Sequence, residues 1–166
     1  MPVDKKIYLS YEDVTGHVTH ICREITLSGW TPDIIVAVGR GGSLPGAMLS
    51  HYFNVPFISL DVSLRDFPSQ TSNCWLPDSA TNGEKILIVD DMNDSGATFN
   101  WIVDDWKKSV GDKIKWFDTV RFAALVENLG SAFNNVQYTS MEISKKFESV
   151  WITFPWEEWW KPGQGY

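Results

Sequence analysis

The chain reads as an α/β protein: a central, mainly parallel sheet flanked by helices, with a small hood or flap and a mobile loop. Three observations predict this class. The runs Asp33–Val38 and Lys85–Val89 are apolar and largely β-branched beyond their first residues, the pattern of strands buried on both faces of a parallel sheet. Each is followed by a glycine-bearing loop and then by a helical stretch, so strand, loop and helix recur twice in the order of βαβ units. Finally, Asp61 to Gly83 is rich in Ser, Thr, Asn, Asp and Pro with little periodicity, which suits a lid or flap with room for short strands.

The elements follow in chain order. Ser10 is a helix N-cap with an acidic residue, Asp13, three positions on. Val14, Val18, Ile21, Cys22 and Ile25 then recur at helical spacing, and Gly29 closes that element. The first buried strand, Asp33–Val38, runs into Gly39-Arg-Gly-Gly42, and residues from Ser43 to His51 have helical character. Phe57–Leu60 is a second strand. After the polar stretch, Lys85–Val89 is the third, followed by a helix from Thr98 to Lys108 and a strand from Thr119 to Val126.

Bulk properties narrow the function. A chain of 166 residues fits one domain over 1–166 with a real core. No run approaches 18 uncharged apolar residues and the start of the chain lacks a secretory signal, so a cytoplasmic protein without a membrane span is expected. Cys22 and Cys74 could pair once, but two thiols in such a chain are expected to stay reduced. The formal net charge of −7 repels nucleic acid and argues against it as a partner. A polyphosphate substrate would need its charge met locally by metal, a few cations and backbone amides.

The segment Asp90-Asp-Met-Asn-Asp-Ser-Gly-Ala-Thr98 carries the chemistry. Successive strand residues point to opposite faces, so Asp90 and Asp91 offer two separate acceptors at one strand edge. Hydroxyl-rich ligands or a hard cation suit them; magnesium takes one or two carboxylates and fills its other sites with substrate oxygens and water. Asp94 to Thr98 leads into a helix. Gly96 permits the turn, the amides at the helix start point outward, and Ser95 and Thr98 add hydroxyls, which together make a phosphate cradle.

Ile86 to Thr98 resembles the phosphoribosyl-pyrophosphate signature of the type I phosphoribosyltransferases: apolar residues, an acidic pair, two further residues, then Asp-Thr/Ser-Gly-x-Thr. Asn93 departs from it, since the family usually has an apolar residue there. Ile34-Ile-Val-Ala-Val-Gly-Arg-Gly-Gly-Ser-Leu-Pro-Gly-Ala-Met48 resembles the pyrophosphate loop of the 6-oxopurine branch, the xanthine-guanine and hypoxanthine enzymes. Trp151-Ile-Thr-Phe-Pro-Trp-Glu157 resembles the segment where that branch stacks the base. The similarity covers residues 30 to 158 or so.

The resemblance implies a purine phosphoribosyltransferase of nucleotide salvage, using Mg2+ to make a nucleoside 5′-monophosphate and pyrophosphate from a purine-like base and phosphoribosyl pyrophosphate. It implies that Asp90, Asp91, Asp94, Ser95, Gly96, Ala97 and Thr98 hold the phosphoribosyl group, with Asp94 as general base. Gly39, Arg40 and Gly41 would bind pyrophosphate, with Arg65 reaching in from the flap, and Gly39–Arg40 would match an unusual peptide bond of the family. Trp151 would stack the base, Ile152 would read it through its main chain, and Asp90, Asp91 and Glu157 would serve the metal. Trp159 and Trp160 fit a hydrophobic plug or a subunit interface, and a homo-oligomer, dimer or tetramer, is expected.

One position departs. The branch places a lysine near the end of the strand after the phosphate helix, where it donates to the 6-oxo group. Here the strand reads Phe122-Ala-Ala-Leu-Val-Glu-Asn-Leu-Gly130, and the matching base-facing position is Glu127. A carboxylate there favours an amino or ring N–H donor. Either Lys145 or Lys146 reaches in from the next loop, or the base differs. A non-catalytic nucleotide or phosphoribosyl-pyrophosphate-binding regulatory module on the same fold is the alternative reading.

Overall fold

The protein was analysed as a computed structural model that describes residues 5–63, 69–70 and 75–161. Along the chain run β1 (Lys5–Tyr8), α1 (Tyr11–Leu27), β2 (Ile34–Val38), α2 (Ser43–Phe53), β3 (Phe57–Leu60), β4 (Val62–Ser63) and β5 (Ser69–Gln70). They are followed by α3 (Trp75–Thr81), β6 (Ile86–Asn93), α4 (Ala97–Val110), β7 (Val120–Asn128), β8 (Tyr138–Ile143) and β9 (Val150–Thr153). A five-stranded sheet in the order β3-β2-β6-β7-β8 is parallel throughout. β4 and β5 form a small antiparallel pair, and β1 lies parallel to β9 in a separate two-stranded sheet.

Strand alternation splits the core into two layers. Ile35, Leu87 and Val89 pack with Val14, Val18, Ile21 and Ile25 of α1 and Leu49 of α2. Ile34, Val36, Ile86 and Ile88 pack on the opposite side with Leu76 of α3 and Phe99, Ile102 and Trp106 of α4. All five residues of β2 are buried, as expected of a strand covered on both faces. The second layer is aromatic: Phe122 lies 4.9 Å from Phe99 and 4.7 Å from Phe133, ring centre to ring centre.

The start of α1 is the predicted capping box. Ser10 Oγ accepts from the Asp13 amide at 3.0 Å and an Asp13 carboxylate oxygen accepts from the Ser10 amide at 2.8 Å. Gly29 follows the helix with φ of 71°. Cys22 is a free, buried thiol, pushed up to about 11 by burial and so a weak nucleophile at neutral pH; Cys74 lies outside the described residues. Among the described residues no helix is long and apolar enough to cross a membrane.

The structure corrects three expectations. The third strand does not stop at Val89 but continues through Asp90 and Asp91 to Asn93, because β7 runs alongside and supplies ladder partners as far as Glu127. The polar stretch contains a helix, α3, which buries Leu76, Pro77 and Ala80. Two turns are too short to register as periodicity, and Pro77 sits in the first turn, where a missing N–H costs nothing. The peptide bond between Gly39 and Arg40 is trans, since no described bond is cis; the unusual geometry lies in Gly39 itself, at φ of 53°.

Candidate active site

In a parallel sheet all the strands end on one side, and the loops carrying function gather there. Beyond β2 the chain turns through Gly39–Gly42, with the Gly42 amide donating to Val38 O at 3.0 Å. Beyond β6 it turns through Asp94, Ser95 and Gly96 into α4. The first turn rests against β6: a Cβ on Gly41 would stand 2.3–2.6 Å from the Asp91 carboxylate, so the absence of a side chain at position 41 is what lets the loop lie beside that acid.

Gly96 caps α4 at φ of 85°, with no side-chain cap. A Cβ there would stand 2.4 Å from the Phe133 amide nitrogen and 2.6 Å from Ser131 Oγ, so the segment after β7 braces the turn directly. The Ala132 amide donates to Ser95 O at 2.9 Å, and Ser95 Oγ accepts from the Ala97 amide at 3.2 Å. The buried Asn93, the residue that breaks the expected apolar pattern, fixes this brace by donating to Phe133 O at 2.9 Å and accepting from Ser131 Oγ at 3.1 Å.

A cleft on the same edge is lined by Asp91, Met92, Asp94, Lys145, Trp151, Ile152, Phe154 and Glu157. It joins residues from the acidic segment to the tryptophan segment some sixty positions later. β9 carries Trp151 and Ile152, registered on Lys6 and Ile7 of β1. Trp151 is 42% exposed, enough for one ring face to meet a ligand. Glu157 closes a turn with Phe154, exchanging a carboxylate–amide bond and a backbone bond of 3.1 Å each.

Asp94 is tied to two neighbouring side chains, Lys145 and Asn128. Lys145 Nζ lies 2.7 Å from Asp94 Oδ2. Asn128 Nδ2 donates to the Asp94 carbonyl at 3.1 Å and to its Oδ1 at 3.2 Å. Asn128 Oδ1 in turn accepts from the Lys145 amide at 3.2 Å, so a single side chain at the end of β7 ties the acidic turn to the loop after β8. Sequence reasoning did not single out Asn128. The available signal was a polar amide ending an otherwise buried strand.

The remaining predicted residues are more dispersed. Arg40 is exposed at the tip of the first loop, and Arg65 lies outside the described residues. Asp90 accepts from the Asp91 amide at 2.8 Å. Ala97 and Thr98 form the first turn of α4. Glu127 is not among the residues lining the cleft; it pairs in register with Asn93 on one side and Glu142 on the other. Burial first, then the charge of Glu142, pushes its carboxyl above the usual range, while a hydrogen bond with Asn93 holds it down.

That environment has a pH consequence. A carboxyl whose folded pKa exceeds its unfolded value stabilises the protein fully below the unfolded value, and the contribution is lost as pH rises through the folded one. Glu127→Gln is therefore expected to match wild type near pH 4 and to exceed it in urea midpoint increasingly toward pH 7. Urea titrations across that range check the divergence.

Two carboxylates on one cleft, Asp91 and Glu157, match what magnesium takes from protein, leaving its other positions for substrate oxygens and water. Among the described residues no group of three or more His, Cys, Asp or Glu gathers as a fully protein-built metal site.

Residues 7–161 match the phosphoribosyl transferase domain family. The chain is 24% identical to the hypoxanthine-guanine phosphoribosyltransferase of Schizosaccharomyces pombe over 184 residues, covering 92% of this chain and 89% of that protein. It is 21% identical to xanthine phosphoribosyltransferase 1 of Saccharomyces cerevisiae over 195 residues, covering 95% and 92%. The crystal structure of a purine phosphoribosyltransferase from Pyrococcus horikoshii superposes with a TM-score of 0.69 at 23% identity, over 97% of this chain and 99% of that one, a likeness of fold. The mainly parallel sheet flanked by helices is the fold expected of that family, and the chain belongs to the phosphoribosyl transferase domain family.

Proposed function

We propose that the chain, acting as one domain over residues 1–166, is a cytoplasmic magnesium-dependent phosphoribosyltransferase of nucleotide salvage. It would join a purine-like base to phosphoribosyl pyrophosphate, giving a nucleoside 5′-monophosphate and pyrophosphate, and work as a homo-oligomer. The observation that carries this reading is the shared cleft: Asp94, at the turn into α4, lines the same opening as the exposed Trp151.

The reaction forms a bond between a ring nitrogen of the base and the anomeric carbon of the ribose. The bond from that carbon to pyrophosphate breaks, and its electron pair leaves with pyrophosphate. The proton on the attacking nitrogen passes to the Asp94 carboxylate, as fits a general base at the cleft. The amides of Gly96, Ala97 and Thr98 receive the 5′-phosphate at the start of α4, helped by the Ser95 and Thr98 hydroxyls. Asp90 and Asp91 hold the ribose hydroxyls. Gly39 and Gly41 allow the backbone to approach pyrophosphate, and Arg40 and Arg65 offer guanidinium forks to its oxygens. Trp151 supplies a face for the base, and the Ile152 main chain reads its edge. Asp91 and Glu157, with Asp90 as a further carboxylate, would hold magnesium, which would supply charge stabilisation for the departing pyrophosphate.

The test is direct. Purified protein with magnesium, phosphoribosyl pyrophosphate and, separately, hypoxanthine, guanine, xanthine and adenine should release pyrophosphate and form nucleotide with at least one base. Absence of pyrophosphate with every base overturns the proposal.

A further inference from the structure

A general base needs a fixed direction as well as an opening to the cleft. A carboxylate on a turn swings about its side-chain torsions unless something holds it, and a reacting group misplaced by about 1 Å loses on the order of a hundredfold in rate. We infer that Asn128, at the end of β7, is a positioning residue for the reaction: it sets the direction of the Asp94 carboxylate. Asn128 is buried and is not among the residues lining the cleft, so it acts through Asp94 rather than on the substrate. This rests on the proposed function and adds to it the residue that directs its base.

The backbone of Asn128 is fixed first. It pairs in register with Ile143 of β8, and its carbonyl accepts from the Ser131 amide at 2.8 Å. The side chain then uses both of its ends. Nδ2 donates to the Asp94 carbonyl at 3.1 Å and to Asp94 Oδ1 at 3.2 Å. Oδ1 accepts from the Gly130 amide at 3.1 Å and from the Lys145 amide at 3.2 Å. Exchanging the oxygen and nitrogen would set an acceptor against two acceptors and donors against two donors, so the amide has one orientation.

Holding the carbonyl and one carboxylate oxygen of the same residue closes a ring through the Asp94 side chain and so fixes its torsions. Lys145 Nζ takes the other oxygen at 2.7 Å, but from the end of a flexible four-carbon stem. The short amide on a strand held by its ladder is the stiffer of the two, and the directional constraint belongs to it. An ionised carboxylate has about four acceptor positions, so these two bonds leave room for the proton of the base. The residue type is also specific. An aspartate at position 128 would have no donor and would set charge against charge, and an apolar side chain would supply neither donor nor acceptor.

Asn128→Asp keeps the size and the two acceptor bonds to Gly130 and Lys145 but loses both donors to Asp94. Steady-state pyrophosphate release should show kcat lower by roughly 10–100-fold, with KM for phosphoribosyl pyrophosphate within about threefold of wild type. Asn128→Leu, neutral and of similar size, should fall as far, which separates lost positioning from added charge. Melting curves on the same preparations report folding, and where Asn128→Asp fails to fold, Asn128→Leu carries the same comparison. Made in Asp94→Ala, either change should cost about threefold or less, because no carboxylate is left to direct. A purely structural role would repeat the full loss in both backgrounds. Wild-type kcat in a folded variant, a loss confined to KM, or the full loss repeated in Asp94→Ala overturns the inference while leaving the transferase reading in place. Failure of that reading looks different: wild type itself releases no pyrophosphate with any base, and the inference falls with it.

Discussion

Asp94→Ala is expected to lower turnover by roughly two to four orders of magnitude, the usual range for loss of a general base, while nucleoside monophosphate binding largely survives. The separation follows from the way the site is divided. The proposed phosphate cradle consists of backbone amides at the start of α4, braced by Ser131, Ala132 and Phe133, and none of these depends on the Asp94 carboxylate. Trp151 stands on β9 and is held by the ladder with β1. The Asp94 carbonyl, which the substitution retains, still accepts from Asn128 at 3.1 Å and keeps the turn in place. Only the carboxylate goes, along with its bonds to Lys145 and to Asn128 Nδ2. Asp94→Asn is the sharper control, because the amide oxygen still accepts from Lys145 but cannot take a proton. Both variants should lose turnover to a similar degree if proton transfer is the role. Full activity in Asp94→Asn would reduce Asp94 to an anchor for Lys145, and full activity in Asp94→Ala would remove it from the mechanism. Steady-state pyrophosphate release and nucleotide calorimetry give the two readouts.

The legible part of this protein is the part where one physical requirement acts on adjacent residues. A strand covered on both faces must be apolar at every position, and Ile34–Val38 is. A helix start must satisfy its amides locally, and Ser10 with Asp13 does. The turn from β6 to α4 needs a residue free to take a positive φ, and Gly96 provides it. Features built from distant segments left little trace. β1 and β9 become strands only because they pair with each other across almost the whole chain. β8 is an edge strand of mixed burial, Tyr138 to Ile143, and shows no clean alternation. Asn128 looks like the end of a strand until Asp94 and Lys145 are placed on either side of it. The lysine follows the same logic: counting along β7 leads to Glu127, whereas the cation facing Asp94 arrives from the loop beyond β8.

Two adjacent glycines should fail in different ways, and the contrast separates scaffold from site. At Gly42 a Cβ would stand 2.3 Å from Val89 O, 2.8 Å from Val38 N and 3.0 Å from Val38 O, all backbone atoms of the two central strands. Neither strand can retreat, since each is hydrogen-bonded in the sheet and buried on both faces. Gly42→Ala is thus overpacking without a soft neighbour, at the upper end of about 1–3 kcal/mol. For a chain of this length that is roughly 6–12 °C in Tm. At Gly41 the atoms met are Oδ1, Oδ2 and Cγ of Asp91, the movable end of a side chain. Gly41→Ala should melt near wild type, because the carboxylate can swing away. In swinging it leaves its place beside the proposed pyrophosphate loop, and a misplacement of about 1 Å in a reacting constellation costs on the order of a hundredfold in rate. The expected pair is therefore an unstable Gly42→Ala and a stable but impaired Gly41→Ala, read by thermal melts and pyrophosphate release on the same preparations. A Gly41→Ala protein with wild-type activity would mean that the contact between Gly41 and Asp91 is packing alone, and the acid's part in holding ribose and magnesium would have to be given up.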